Sequence, residues 1–242
     1  MSDPSLASAT AASLLDRPMG EIAAALAGAT TVFRRHKLDF CCGGAAPLAV
    51  AAAGRGLDGA EIAAELAALV PADPAALPTM PAGLIALIET SYHAAHRRDL
   101  PELIRLARRV EAVHRGKPGT PAGLARALEG LESALLDHMM KEEAILFPLL
   151  RSGPGTPAAA LAAAPIARMQ SELDAHRAEL RAIAALTDDL TLPAGACTTF
   201  RALYAGLERF ETEFTTHIHL ENNLLFPMFA DVSGALRTQL RG

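Results

Sequence analysis

The chain has 242 residues, 51% of them hydrophobic but only 4% aromatic and none tryptophan, and its Ala- and Leu-rich composition favours helices over an aromatic-rich sheet. A formal net charge of −5 leaves no basic field to hold phosphates, so nucleic acid is not an expected partner. The N-terminus lacks a basic start followed by an apolar run, and no stretch approaches about 20 uninterrupted apolar residues, so neither a signal peptide nor a membrane span is expected and the protein is assigned to the cytoplasm.

In chain order, residues 1–14 read as a flexible N-terminus. A small helical domain over 15–69 follows, with helices Pro18–Phe33, Pro47–Ala53 and Gly59–Leu69 around a break at Gly43-Gly44. Residues 70–81 carry Pro71, Pro74, Pro78 and Pro81 among small residues, the composition of a semi-rigid linker. The remainder, 82–232, reads as a four-helix bundle, and the fold class as all-α. Its first helix runs Leu84–Arg97. Asp99 with Glu102 resembles a capping box, with Pro101 at a helix start, and opens a second segment reaching His114.

The next helix places Leu124, Leu128, Leu131, Leu135, His138, Glu142, Ile145 and Leu149 on one seam. The third repeats this spacing with Ile166, Met169, Leu173, His176, Leu180 and Ile183, and the last with Leu203, Leu207, Phe210, Phe214, His217, Glu221, Leu224 and Met228. His138, Glu142, His176, His217 and Glu221 therefore fall where the pattern demands apolar side chains. Burying an uncompensated carboxylate costs several kcal/mol, and metal cations supply the compensation. Two of the helices also share one motif, H-x-x-x-E-x-x-[IL]-L-F-P, from His138 and from His217. A His and a Glu four apart lie on one helix face, so two such helices offer two imidazoles and two carboxylates to one two-metal pocket. This donor set without thiolates favours iron or manganese over a closed structural zinc site, with iron preferred.

His93 and His114 are weaker signals, because a lone helical histidine is more often exposed or hydrogen-bonded than a ligand. They stand about 31 Å apart on a straight helix, so both reach one site only if the chain bends at the Asp99–Glu102 cap. His96 and His219 lie off the seams and read as supporting or solvated residues, His36 as exposed, and the pairs Arg34-Arg35 and Arg97-Arg98 as solvated faces. Of three cysteines, too few and too irregular for a disulfide framework, Cys41 and Cys42 are adjacent beside the Gly-Gly turn. They read either as half-buried structural thiols or as a redox-active or metal-handling pair whose thiolates the nearby Arg34, Arg35 and Lys37 would favour. Cys197 starts a helix and reads as structural.

Together with Asp39-Phe-Cys-Cys-Gly-Gly44, the motifs Tyr92-His93, Val113-His114, His138-Met-Met-Lys-Glu142 and His217 through Glu221-Asn-Asn make residues 15–230 resemble the Repair of Iron Centres family, the ScdA or YtfE type. The resemblance implies a haemerythrin-like di-iron protein that restores iron–sulfur clusters damaged by nitric oxide or peroxide. It implies two Fe ions held by His93, His114, His138, Glu142, His217 and Glu221, the glutamates bridging. One ligand position of the family reads Leu173 here, and His176, three residues on, is the candidate replacement. Two functions are carried forward: cluster repair by iron donation or by nitric oxide reduction, and reversible oxygen or nitric oxide binding without turnover. A metal-free or zinc-holding bundle is the structural alternative. Damaged iron–sulfur proteins are the expected macromolecular partners, and the chain itself is expected to be a monomer or homodimer.

Overall fold

The computed structural model describes residues 10–73 and 77–230; Pro74 of the linker and the last residues assigned to the bundle lie outside them. The described residues are helical, with no strand beyond two isolated bridges. No helix among them is long and apolar enough to cross a membrane. The chain falls into two compact units, one of residues up to 84 together with those from 218, the other of 85–217.

The first unit contains five short helices: α1 (Ala11–Leu15), α2 (Met19–Ala25), α3 (Ala29–Arg35), α4 (Leu48–Ala53) and α5 (Gly59–Ala67). Helix α1 lies inside the stretch expected to be flexible, because Leu14 is fully buried in the core with Met19, Ile22, Phe33, Leu48 and Leu66. The helix expected over Pro18–Phe33 is divided: Leu26 is extended, and Gly28 takes a φ of +91° that a side chain would resist. Asp58 caps α5 by accepting from the Ala60 N–H at 2.8 Å. His36, expected to be exposed, is half-buried against Glu65 at 3.2 Å.

The same unit receives the end of the chain's last long helix. Asn223 donates to the carbonyls of Phe40 and Cys41, both at 3.1 Å, and the neighbouring Asn222 donates to Cys42 Sγ at 3.4 Å. Asp39 Oδ1 accepts from the Cys42 N–H at 3.2 Å, and Cys41 Sγ lies 3.5 Å from it. The loop carrying both thiols is thus fixed from two sides. A Cβ on Gly20 would lie 2.5 Å from Asn223 Oδ1, and one on Gly44 would lie 2.5 Å from the Phe40 carbonyl, so both glycines are required by close approach.

The second unit is the bundle. Its long helices are α7 (Ala94–Val113), α8 (Leu124–Lys141), α10 (Ala163–Leu186) and α11 (Thr198–His219), with α6 (Pro81–Leu87) leading into α7 and the short α9 (Phe147–Leu150) ending the second. Helix α8 packs on α7 and α10. Helix α11 closes the ring, its Phe210 and Phe214 against His96 of α7 and its Phe214 near His176 of α10. No break separates the segments expected on either side of Asp99. Residues 94–113 form one helix with Pro101 inside it, Asp99 pairs with Arg98, and Glu102 pairs with Arg105, so no capping box forms.

Three π-turns interrupt these helices, at Ile88–His93, Glu142–Leu146 and Leu220–Leu225. In the two copies of the repeated motif they are equivalent: Phe147 N–H donates to the Glu142 carbonyl and Phe226 N–H to the Glu221 carbonyl. Each turn precedes the motif's proline, which cannot donate into an α-helical ladder and is accommodated where a new turn begins. The wider turn adds one residue to the register, so the expected seam slips by one. Ile145 is 56% exposed while Leu146 and Leu150 are buried, and Leu225 and Phe229 replace the expected Leu224 and Met228.

Gly44→Ala is therefore expected to destabilise the first unit by about 1–3 kcal/mol, the usual cost of overpacking a site that cannot give way. Thermal unfolding followed by circular dichroism measures it, and a melting temperature equal to wild type contradicts the packing argument.

Candidate metal centre

Glu142 sits at the first residue of its π-turn and is fully buried. Its two oxygens face different histidines, Oε2 lying 3.3 Å from His93 Nε2 and Oε1 3.4 Å from His138 Nε2. Neither contact has hydrogen-bond geometry, and both carboxylate oxygens lack a donor. Such a group would cost several kcal/mol to bury unless a cation faced it. His93 Nε2 is also 3.2 Å from His217 Nε2. Donor atoms about 2.0–2.2 Å from one ion stand about 3.0–3.5 Å apart, so these separations are those of atoms around a common cation. His93, Glu142, His217 and Glu221 each offer an atom within 4.8 Å of the others, and all four are buried. Glu221 follows His217 by one turn, on a helix that continues unbroken into its π-turn.

The imidazoles are oriented through their other nitrogen. His93 Nδ1 donates to Glu143 at 2.7 Å, a carboxylate also held by Arg97. His138 Nδ1 donates to Glu172 at 3.2 Å, and Glu172 is held by Lys141 at 2.8 Å and Arg168 at 2.6 Å. His176 Nδ1 donates to Glu179 at 3.3 Å, leaving a buried Nε2 with no hydrogen-bond partner. Its ring stands perpendicular to that of His138 with centroids 5.2 Å apart. A histidine whose Nδ1 carries the proton presents the Nε2 lone pair, the form a metal takes, and carboxylates behind imidazoles strengthen that donation. The donor set of imidazoles and carboxylates in a dry bundle thus fits a cation.

His114 is not in this cluster. It caps the far end of the continuous helix, about 30 Å along the axis from His93, where its Nε2 meets Cys197 Sγ at 3.3 Å and its ring packs on Phe200. The helix break expected at Asp99, which would have let the chain turn it inward, is absent. His96 and His219, read as supporting or solvated, are both buried: His96 Nε2 lies 3.2 Å from His217 Nδ1, and His219 packs on Phe40 and meets Asn223. Arg97, read as part of a solvated face, pairs with Glu143. Glu143, Glu172 and Glu179 were not singled out by the sequence, although the doubled Glu142-Glu143 hinted at one inward and one supporting carboxylate.

Fold and site define a helical metal-binding bundle, and known proteins place it. Residues 88–229 match the Hemerythrin HHE cation binding domain, and residues 15–70 match an ScdA N-terminal domain of unknown function, DUF542. The chain is 46% identical over 215 residues to the iron-sulfur cluster repair protein YtfE of Edwardsiella ictaluri, covering 88% of this chain and 96% of that protein. The YtfE proteins of Musicola paradisiaca and Yersinia pseudotuberculosis are 46% and 44% identical over the same share of this chain, covering 95% and 96% of their own lengths. The chain belongs to the YtfE family of hemerythrin-domain proteins.

Burial holds His96, His217 and His219 neutral. It pushes His96 down to about 2, helped by His217 and His93, pushes His219 down to about 4, and takes His217 well below its ordinary value. For Glu172 burial opposes ionisation, but hydrogen bonds from Lys141, Arg168 and His138 outweigh it and hold the carboxyl at about 2. Below about pH 6.5 the unfolded chain binds protons that the folded histidines refuse, so stability falls as pH falls. Glu172 acts in the same direction only below its unfolded value of 4.5. The chelator-stripped protein should therefore lose melting temperature steadily from pH 7 to pH 5, a window governed by histidine. A flat or rising profile over that range would contradict the buried neutral imidazoles.

Proposed function

We propose that this protein holds two iron ions and uses them to repair iron–sulfur clusters in the cytoplasm. The observation that carries the reading is Glu142, whose oxygens face His93 on one side and His138 on the other, so that a single carboxylate addresses two separate imidazole sets. His93, His217 and Glu221 would hold one ion and His138 and His176 the other, with Glu142 available to both; His114 is left out. Cluster repair is favoured because relatives with that printed name share 44–46% of their residues with this chain.

When bound, two ferrous ions supply transferable iron for a damaged cluster, or one electron each for the reduction of nitric oxide. The residues would bind and orient these ions, and their burial would limit access of bulk water. Cys41 and Cys42 fit a redox or iron-transfer role, because the thiols lie on a loop bonded to Asn222 and Asn223, the two residues that directly follow Glu221. That same loop speaks against the second reading, a reversible oxygen or nitric oxide carrier, which needs no thiols.

Protein purified anaerobically after iron-replete expression is expected to carry about two irons per chain. Glu142→Ala should lose both and the thermal stabilisation they confer, since metal binding free energy is folding free energy at such a site. His114→Ala should keep both. Stoichiometric zinc, or reproducibly no metal in wild type, would sink the di-iron reading, while a carrier would be indicated by iron-loaded protein that fails to restore a nitric-oxide-damaged cluster. Cys41→Ser should keep its iron but lose repair.

His176 is tested separately by elemental analysis. His176→Leu is expected to lose about one of the two irons, and Leu173→His in that background to regain it. Full iron and an unchanged spectrum in His176→Leu would remove His176 from the ligand set.

A further inference from the structure

Three of the four converging imidazoles rest Nδ1 on a carboxylate: His93 on Glu143, His138 on Glu172 and His176 on Glu179. His217 differs, because its Nδ1 lies 3.2 Å from Nε2 of another histidine, His96. Neither the repeated motif nor the seam pattern gives His96 a role, yet the ring is fully buried. It is wedged edge-on between Phe210 and Phe214, with centroids 5.4 Å from each, and its Nδ1 has no hydrogen-bond partner. An apolar side chain would fill this space without an orphaned polar atom, so the histidine needs a reason to be there.

We propose that His96 is a positioning residue for the metal centre, a neutral acceptor whose Nε2 receives a hydrogen bond from His217 Nδ1–H and thereby keeps the His217 Nε2 lone pair on the side of Glu142 and His93. The inference rests on the metal-centre reading above. A neutral imidazole has one donor and one acceptor nitrogen. If His96 Nε2 held the proton and donated it, His217 would carry its own proton on Nε2, pointing at His93 Nε2 3.2 Å away, and could not bind a cation. In the other arrangement His217 Nδ1–H donates to His96 Nε2, and the His96 proton sits on Nδ1 among the phenylalanine rings. That arrangement leaves a buried N–H unsatisfied, and it persists because only then are both Nε2 atoms, of His93 and His217, open to the same ion. The two phenylalanines fix the ring plane of His96 and, through it, that of His217.

The test compares wild type, His96→Phe, His96→Gln and His96→Met, each loaded anaerobically with ferrous iron. Iron retained against a graded series of chelator concentrations gives the affinity, and the absorption spectrum after oxidation reports on the ligands. The Phe variant is expected to lose affinity for one ion by about 10- to 100-fold, with an altered spectrum, as for other residues standing behind a metal ligand. Gln, whose amide oxygen can accept the same proton, should recover most of the affinity and the wild-type spectrum. A merely structural role would not distinguish Gln from Met. If the Phe variant does not fold, the Gln and Met pair decides: equal affinities overturn the proposal, as does a Phe variant with wild-type affinity and spectrum. Wild type without iron would overturn the metal-centre reading itself, which this control detects independently.

Discussion

A carboxylate with no donor in a dry core is the constraint around which the bundle is arranged. Glu142 is fully buried, and no N–H or O–H of the described residues reaches its oxygens with hydrogen-bond geometry. Around it stand His93, His138 and His217, the last of which burial keeps well below its ordinary pKa. The positive side chains that are present, Arg97, Lys141 and Arg168, stand one layer further out and spend their charge on Glu143 and Glu172. The inner carboxylate is thereby left without a facing positive charge while the carboxylates around it are paired, an arrangement that a divalent ion would compensate.

Much of this was legible in the chain. The four- and three-residue steps gave the helices and the bundle, and polar residues on apolar seams singled out His138, Glu142, His176, His217 and Glu221, all of which the structure buries. What was not legible depends on geometry that spacing alone does not carry. A break was expected at Asp99, but the flanking acids pair with arginines on the same helix and Pro101 is tolerated inside it, so His114 stays at the far end. His96 heads a buried row with Leu100, Leu103, Ala107 and Val110 at helical steps of four and three, a seam that was not drawn for this helix. The carboxylates behind the imidazoles come from neighbouring helices, and a one-dimensional pattern does not pair them.

In the unit containing the thiols, the asparagines that follow Glu221 grip the backbone of Phe40 and Cys41 and touch the Cys42 thiol. Gly20 and Gly44 are small because Asn223 and the Phe40 carbonyl occupy the space a side chain would need. The Gly-Gly turn beside the cysteines is thus a packing requirement of the loop, which leaves the thiols as the residues whose chemistry packing does not explain.

The π-turns carry a consequence for how donors are aimed. Each behaves as a single residue inserted into an α-helix, turning everything beyond it by roughly 100° about the axis. In the two motif-bearing helices the insertion falls at the carboxylate, between the histidine and the Phe-Pro that ends the motif, and the buried positions beyond it are displaced by one. Helix α10, which carries Leu173 and His176, has no such turn. A donor on that helix therefore cannot be re-aimed by a one-residue slip of the backbone; it moves only in whole steps of three or four along the same face.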